Sequence, residues 1–420
     1  MKWLALFACA GILLAQENKP TPAEQEQQEL SRAVSEAGSS SVDFVRALER
    51  HLKKYPASPQ RLAIEKAIAK SALDANDRPR ILLYGQKVLA AEPETSDLPL
   101  LDRVIRVLLD ADDQESAKKA LALCARYLRQ VEAMRNDSGK SHMSEAQWAE
   151  EVSKGRARAL ALQARATGNT GDAEGALRIA KSSWESNQNA ESAREVSRWL
   201  LKLNRNAEAL EYLADAFAIE DGRATDADRA RDRQRMGEIY AKLNGSEKGL
   251  GDLILAAYDR MSAAHTERLA KLRQADPNIV ATELMDFTLL PVEKRDPLPL
   301  SSLNGKTVVM DFWATWCGPC RVQHPIIEKV KKRYENDSKV VFLSVNADED
   351  RSLVAGFLKE LQWTGPNYYE SGLARLLTVS SIPTLLVVGR DGKVSSRMAG
   401  FIPERFEDML VERIEETRTN

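Results

Sequence analysis

The run from Asp311 to Cys320, which reads DFWATWCGPC, places two cysteines two residues apart directly after an apolar segment. Residues Thr307 to Trp313 have the composition of a buried β-strand. The glycine and proline between the cysteines suit the entry of a helix, because glycine accepts unusual backbone angles and proline is favoured in the first helical turn. The sequence therefore predicts a strand that leads to a redox dithiol and a helix that begins there.

The two cysteines are expected to have different roles. Unpaired backbone N–H groups and the helix dipole favour a thiolate at the start of a helix. Two thiols at this spacing can also close a small disulfide. We therefore predict that Cys317 is the nucleophile and that Cys320 is the thiol that resolves a mixed disulfide.

This run resembles the active site of the thioredoxin superfamily, in particular the extracytoplasmic branch of TlpA- and ResA-like thiol-disulfide oxidoreductases. In that family a cis-proline loop faces the dithiol, and here Pro383 in the run SIPT matches it. Residues 284–306 supply two short apolar pieces before the strand, and residues 350–369 resemble the inserted helix and strand of the branch. The resemblance implies an α/β thioredoxin-like domain over residues 281–420.

The resemblance also implies a catalytic role for Asp311, which matches a buried carboxylate that exchanges a proton with Cys320. Burial raises the pKa of a carboxylic acid, which suits this exchange near neutral pH. A solvated aspartate at the end of a strand is the structural alternative. Ser344, in the predicted strand Val340–Asn346, stands where cytoplasmic thioredoxins have a lysine. The resemblance therefore does not identify which residue adjusts the pKa of Asp311.

Client contacts are expected on both sides of the dithiol, because Trp316 can offer an apolar surface and the family pairs the backbone next to the cis-proline with the client chain. The predicted client-binding residues are Trp316, Gly318, Pro319, Ile382 and Pro383.

No metal and no cofactor are expected at this site. His324 lies one helical turn after Cys320, but structural zinc sites close with four ligands, and no fourth Cys or paired His lies nearby in the sequence. His324 is therefore predicted to be a surface histidine. Haem attachment is disfavoured because Arg321 occupies the place where a CxxCH motif needs histidine.

The amino terminus has the pattern of a signal peptide over residues 1–15, with Lys2, an apolar run over residues 3–14 and the small Ala15. The apolar run is too short for a stable membrane span. Lipidation of Cys9 is disfavoured because the apolar run continues beyond it. We predict a periplasmic or otherwise extracytoplasmic protein.

The chain has four cysteines. If Cys9 is removed with the signal peptide and Cys317 pairs with Cys320, then Cys124 is the remaining one. It lies between Leu121 and Leu128, at spacings that place all three side chains on one helix face. We predict that Cys124 is a small apolar core residue rather than a third redox thiol.

Residues 16–41 are rich in Gln, Glu, Pro and Ser, which predicts a polar linker that can become helical at its end. Residues 42–275 show helical periodicity, illustrated by the apolar stripe of Leu210, Leu213 and Phe217, which predicts an all-helical domain. The fold class is therefore multidomain, with an amino-terminal all-α domain and a carboxyl-terminal α/β domain.

An Ala-Leu pair and a later aromatic residue at 176, 177 and 184 recur 33 residues further on at 209, 210 and 217. This spacing is close to the period of about 34 residues of tetratricopeptide repeats. We predict a tetratricopeptide-like array, with a generic helical bundle as the alternative. Its role is either spacing and dimerisation or docking of a protein partner.

The predicted function is that of an exported enzyme that reduces protein disulfides, with a membrane thiol relay as the electron donor. The formal charge of −2 over 420 residues gives no basic footprint for nucleic acid. Alternatives are a disulfide-donating oxidase or isomerase, a helical scaffold whose second domain only binds peptides, and a peroxiredoxin-like peroxidase. The peroxidase is disfavoured because Thr315 lies two residues before Cys317 rather than three.

Overall fold

The structure is a computed structural model that describes residues 21–38, 40–94, 97–136, 143–220 and 224–419. The predicted signal peptide lies outside the described residues. A helical region precedes an α/β domain, as the sequence predicts. Within the described ranges, no helix is both long enough and apolar enough to cross a membrane.

The chain divides into two compact units, Met1–Leu123 and Cys124–Asn420. From α1 to α5, each helix of the first unit packs against the next one in the chain. The helices are α1 (Pro22–Ala37), α2 (Ser41–Lys54), α3 (Arg61–Asp74), α4 (Arg78–Ala91), α5 (Leu98–Leu109) and α6 (Gln114–Ala133), and the boundary between the units falls within α6.

Helix α1 occupies most of the segment that the sequence predicts as a polar linker. Thr21 and Glu24 form a capping box at its start, with reciprocal bonds between side chain and backbone. Leu30 is buried, and the carboxylate of Glu26 contacts His51 of α2 at 3.3 Å. The local caps and this contact order a segment whose composition alone would predict disorder.

The second unit begins with further helices, which are α7 (Glu145–Asn169), α8 (Ala173–Ser186), α9 (Ala190–Lys202), α10 (Asn206–Ala218), α11 (Asp226–Asn244) and α12 (Leu250–Ala275). The two copies of the predicted repeat fall in α8 and α10, and α9 packs against both. Leu210 and Leu213 are buried and Phe217 packs at the edge of their cluster. Cys124 is 0% exposed, which confirms that it is a core residue.

A polar joint connects α12 to the first strand of the α/β domain. The backbone N–H of Asn278 donates to Asp276 at 2.8 Å, and Ser144 also donates to Asp276. The side chain of Asn278 then binds both backbone groups of Thr288, accepting from its N–H at 2.6 Å and donating to its carbonyl at 2.8 Å. Asp276 and Asn278 are almost fully buried, so these bonds satisfy polar groups that would otherwise be costly to bury.

The α/β domain contains a seven-stranded sheet in the order β2-β1-β5-β4-β3-β6-β7. The central strand β3 is parallel to β4 and antiparallel to β6. The strands are β1 (Thr288–Pro291), β2 (Leu298–Pro299), β3 (Thr307–Trp313), β4 (Val340–Asn346), β5 (Asn367–Tyr369), β6 (Thr384–Val388) and β7 (Val394–Ala399), and the helices are α13 (Gly318–Arg333), α14 (Ser352–Glu360), α15 (Leu373–Leu376) and α16 (Pro403–Thr419).

Strand β3 is buried along its whole length, and its side chains alternate between the two faces of the sheet. On one face Val309 packs with Ile327 of α13, and Trp313 lies in a cluster with Cys320. Asp311 lies between Val309 and Trp313 in the strand, and because side chains alternate, all three lie on the same face of the sheet. The carboxyl group is therefore on the face that α13 covers, toward the end of the helix that carries Cys320.

Candidate active site

The dithiol lies where β3 ends and α13 begins. Cys317 is the N-cap of α13, and its sulfur accepts a hydrogen bond from the backbone N–H of Cys320 at 3.2 Å. Pro319 lies in the first helical turn, where it has no N–H to leave unpaired. The two cysteines form a disulfide with their Cα atoms 5.3 Å apart. In the reduced protein, the same N–H groups and helix dipole would favour a thiolate at Cys317.

The disulfide itself is almost buried, but its rim is open to solvent. Cys317 and Cys320 are each 3% exposed, whereas Trp316 is 70% exposed. Gly318 and Pro319 are exposed as well. The solvent-exposed rim of the disulfide is therefore formed in part by Trp316 and the first turn of α13.

The predicted cis-proline loop lies beside the dithiol because of how β6 pairs. Strand β6 runs antiparallel to β3 with Thr384 opposite Phe312, so the residues before β6 lie at the end of β3. The peptide bond between Ile382 and Pro383 is cis. Ile382 packs against the cluster that contains both cysteines, so the residue before the cis-proline lies next to the disulfide.

Asp311 is a buried residue in the middle of the sheet, which excludes the alternative of a solvated aspartate at a strand end. It is 7% exposed and lies opposite Ser344 of β4 and Leu385 of β6. Burial raises the pKa of Asp311 to about 7, and the negative charge of Glu328 contributes to the rise. A carboxyl group with this pKa can both take and give a proton near neutral pH.

A narrow cleft reaches Asp311 between α13, β4 and the residues before β5. Asp311 and Ser344 both line it, and the Oδ1 atom of Asp311 and the Oγ atom of Ser344 have no hydrogen-bond partner in the described part of the chain. About 20 Å³ of the cleft is open to the centres of water molecules, which is room for one. A water there would bring a hydrogen-bonding group to the side of the cleft that Asp311 lines.

His324, predicted to be a surface histidine, is half-buried in the structure. Its ring stacks on Trp363 with centroids 3.7 Å apart and planes 15° apart. Burial lowers the pKa of His324 below its usual 6.5. Trp363 in turn packs edge-on against Trp313 and Phe357. The residues after α14 therefore fold back over α13, which sequence spacing alone did not reveal.

A second feature missed by the sequence analysis is a polar clamp on the loop before Cys317. Asp348 accepts hydrogen bonds from the backbone N–H and the hydroxyl of Thr315, both at 2.7 Å, and from the side chain of Asn346 at 2.7 Å. Arg321 donates to the carbonyl oxygen of Thr315 at 2.7 Å. These hydrogen bonds hold in place the loop that leads to Cys317. The polar residues directly after β4 were the available signal, since the ends of parallel strands meet at one edge of a sheet.

Among the residues that the structure describes, no group of three or more His, Cys, Asp or Glu side chains could hold a metal ion. The groups that this site offers for a reaction are the dithiol of Cys317 and Cys320, the carboxyl group of Asp311 and the exposed surface at Trp316.

Comparisons with known proteins support the same chemistry. Residues 304–394 match a family model described as Thioredoxin-like. A thioredoxin of Chlorobaculum thiosulfatiphilum is 33% identical over 113 residues, which are 27% of this chain and 81% of that protein. A thiol-disulfide oxidoreductase ResA of Bacillus cereus is 29% identical over 126 residues, which are 30% of this chain and 67% of the relative. Among solved structures, StoA of Bacillus subtilis matches with a TM-score of 0.26 and 21% identity, over 30% of this chain and 94% of StoA. The chain therefore belongs to the thioredoxin family, as a thiol-disulfide oxidoreductase whose thioredoxin-like domain follows an amino-terminal helical region.

Proposed function

We propose that this protein is an exported reductase of protein disulfides that acts through Cys317 and Cys320. The observation that carries the proposal is the position of Cys317 at the start of α13, next to the exposed Trp316 and the cis Ile382–Pro383 bond. Such a site combines an activated sulfur with a surface on which a polypeptide can lie.

In the proposed reaction, the Cys317 thiolate attacks one sulfur of a client disulfide and forms a mixed disulfide, which releases one client thiolate. Cys320 then gives its proton to Asp311 and attacks the sulfur of Cys317. This second step breaks the mixed disulfide and releases the other client sulfur as a thiolate. The client gains two electrons, and the enzyme leaves with its disulfide closed. A membrane thiol relay would supply the electrons that reopen it.

The proposed client contacts are the residues on the rim of the disulfide. Trp316 would provide an apolar surface, while the backbone beside Pro383 would pair with an extended client segment, as an added strand pairs with a sheet edge. Gly318, Pro319 and Ile382 complete this rim. Recognition through backbone groups would make the enzyme broadly specific.

Export and partner docking are further parts of the proposal. The signal-peptide pattern of residues 1–15 supports export. Leu255 and Tyr258 of α12 are exposed and lie three residues apart on one helix face, which supports a docking surface on the helical region. A tetratricopeptide-like array would suit such docking because stacked helix pairs expose extended surfaces.

The direct test is to trap the mixed disulfide while measuring insulin reduction by the full chain. The reduced Cys320→Ala variant should accumulate a covalent client adduct through Cys317, because nothing resolves it. The matched Cys317→Ala variant should accumulate none. An adduct only in Cys317→Ala would contradict the assigned order of attack.

The alternative functions predict different results for the wild-type protein. Absence of insulin reduction would favour a scaffold that only binds peptides. Rapid consumption of hydrogen peroxide by the purified protein would favour a peroxidase. The proposed reductase should reduce insulin and leave peroxide largely intact.

A further inference from the structure

One face of α13 leads from the dithiol into the cleft below it. Cys320, His324 and Glu328 follow one another at intervals of four residues, which places them on successive turns of the same face. His324, Glu328 and Lys331 all line the cleft that reaches Asp311. Helix α13, which carries Cys320, therefore also contributes ionisable side chains that line the cleft.

The imidazole of His324 is held in a fixed orientation in this wall. It stacks on the indole of Trp363, whose own ring packs against Trp313 at 4.9 Å and Phe357 at 5.4 Å between centroids. The two rings behind Trp363 hold its indole in place and so limit the positions that the stacked imidazole can take. The half-buried ring keeps contact with both the cleft and solvent.

The charges that face His324 come from several elements. On α13, Glu328 and Lys331 form an ion pair at 2.9 Å. The Nζ atom of Lys331 lies against Gly365, 3.3 Å from the position that a Cβ atom would take there, so this side chain crosses the cleft to the residues before β5. From the sheet, Asp311 of β3 is the ionisable group that lines the cleft, while Ser344 of β4 and Asn367 of β5 are neutral.

These surroundings favour a neutral imidazole at neutral pH. Burial is the main cause that lowers the pKa of His324, Lys331 lowers it further, and Glu328 opposes both. A neutral imidazole can accept a proton on one nitrogen and release it to solvent afterwards. Ser344 of β4, which also lines the cleft, has a neutral hydroxyl that does not become charged in this pH range.

We propose that His324 is a proton-relay residue that passes the proton of Asp311 to solvent through water in the cleft. The inference rests on the proposed thiol-disulfide exchange. When Cys320 attacks the mixed disulfide, its proton moves to the Asp311 carboxylate and then through cleft water and the imidazole to solvent. The client thiolate that departs in this second step takes one proton from solvent, so the second step consumes no net proton. His324 touches neither sulfur, and its role is to draw the proton away from Asp311 while Cys320 attacks, so that the proton does not return to the attacking sulfur.

The test follows the two release steps with a peptide dimer that is linked by a disulfide and carries a fluorophore on each half. Mixing it with the reduced full-length protein in a stopped-flow instrument gives one phase for attack by Cys317 and a second for resolution by Cys320. The wild type, His324→Gln and the control variant His265→Gln are compared from pH 5 to pH 9. His265 is an exposed histidine of α12, which lies outside the thioredoxin-like domain.

His324→Gln should slow the second phase about tenfold near pH 7, which is less than the loss of about a hundredfold or more expected for an acid or base that contacts the reacting group directly, because His324 acts through Asp311. The first phase should be unchanged, and added imidazole should restore the second. A second phase with the wild-type rate and pH profile would overturn the relay. An equal loss in both phases that imidazole does not restore would also overturn it, since it would indicate a structural role.

A second variant keeps the inference testable if His324→Gln folds poorly. Glu328→Gln removes the carboxylate that raises the pKa of both His324 and Asp311. The pH profile of the second phase should therefore move to lower pH, and an unmoved profile would contradict the relay. If the wild type releases neither half of the peptide dimer, the proposed function itself fails.

Discussion

Replacing Asp311 by asparagine should change how the stability of the thioredoxin-like domain depends on pH. Burial raises the pKa of this carboxyl group from its usual 3.8 to about 7. Below pH 3.8 the group is protonated in both the folded and the unfolded chain. As the pH rises above this value, the unfolded chain ionises first, so the free energy of unfolding falls until the pH passes about 7.

The size of this effect follows from the two pKa values, which differ by about 3. Each pKa unit corresponds to about 1.4 kcal/mol, so ionisation of Asp311 should cost the folded state about 4 kcal/mol at pH 9 relative to pH 4. The Asp311→Asn variant cannot ionise at this position. Its stability relative to the wild type should therefore improve by about 4 kcal/mol over this interval, whatever constant cost the buried amide adds.

The measurement is guanidinium unfolding of the oxidised full-length protein, followed by pulsed hydrogen exchange of peptides from β3. These peptides report unfolding of the thioredoxin-like domain even if the helical region unfolds separately. The lowered pKa of His324 gives a dependence of the opposite sign, with stability lost as the pH falls. Both proteins share that contribution, so it cancels in their difference.

Asp350→Asn is the matched control, because Asp350 is exposed and hydrogen bonds from Ser352 lower its pKa. Its ionisation favours the folded state, so this substitution should not produce the improvement at high pH. A difference between Asp311→Asn and the wild type that stays constant from pH 4 to pH 9 would refute the reasoning. It would mean that the folded protein solvates the Asp311 carboxylate.

Two other substitutions test the surroundings of the dithiol. Asp348→Ala should destabilise the thioredoxin-like domain by about 3 kcal/mol in the same exchange assay, because it leaves buried donors of Thr315 and Asn346 without an acceptor; a loss below about 1 kcal/mol would show that the clamp is solvated. Trp316→Ala should raise the KM for insulin several-fold, since a client loses an exposed apolar contact, and it should leave the reduction potential of the disulfide unchanged. A normal KM would place the client elsewhere.

Local sequence patterns were sufficient for the strands that carry the site. Residues Thr307–Trp313 and Val340–Asn346 are mainly apolar runs of strand length, and the structure forms β3 and β4 over these residues. The glycine and proline between the cysteines marked the start of α13 for the same reason, because both residues have specific backbone preferences at helix ends.

Sequence patterns could not predict the contacts between residues that are distant in the chain. The stacking of His324 on Trp363 joins α13 to the residues after α14, and no periodicity relates the two positions. The bonds between Thr315 and Asp348 likewise join two loops that only the parallel pairing of β3 and β4 brings together. Both contacts depend on tertiary structure.

The amino-terminal helix extends further than composition indicates. Residues 16–41 have few apolar residues, which favours a linker with at most a helical end, whereas α1 spans Pro22–Ala37. Thr21 and Glu24 nevertheless form a capping box, and Pro22 occupies the first helical turn. A search for caps would have found α1. The burial of Leu30 and the contact of Glu26 with His51 then depend on α2.

The most direct test of the proposed function is the reduction potential of the Cys317–Cys320 couple, obtained by equilibrating the full-length protein against dithiol buffers. A reductase that receives electrons from a membrane donor should give a value near that of thioredoxin, about −270 mV. A value near about −120 mV, typical of a strong disulfide donor, would contradict the proposed direction and make the protein an oxidase.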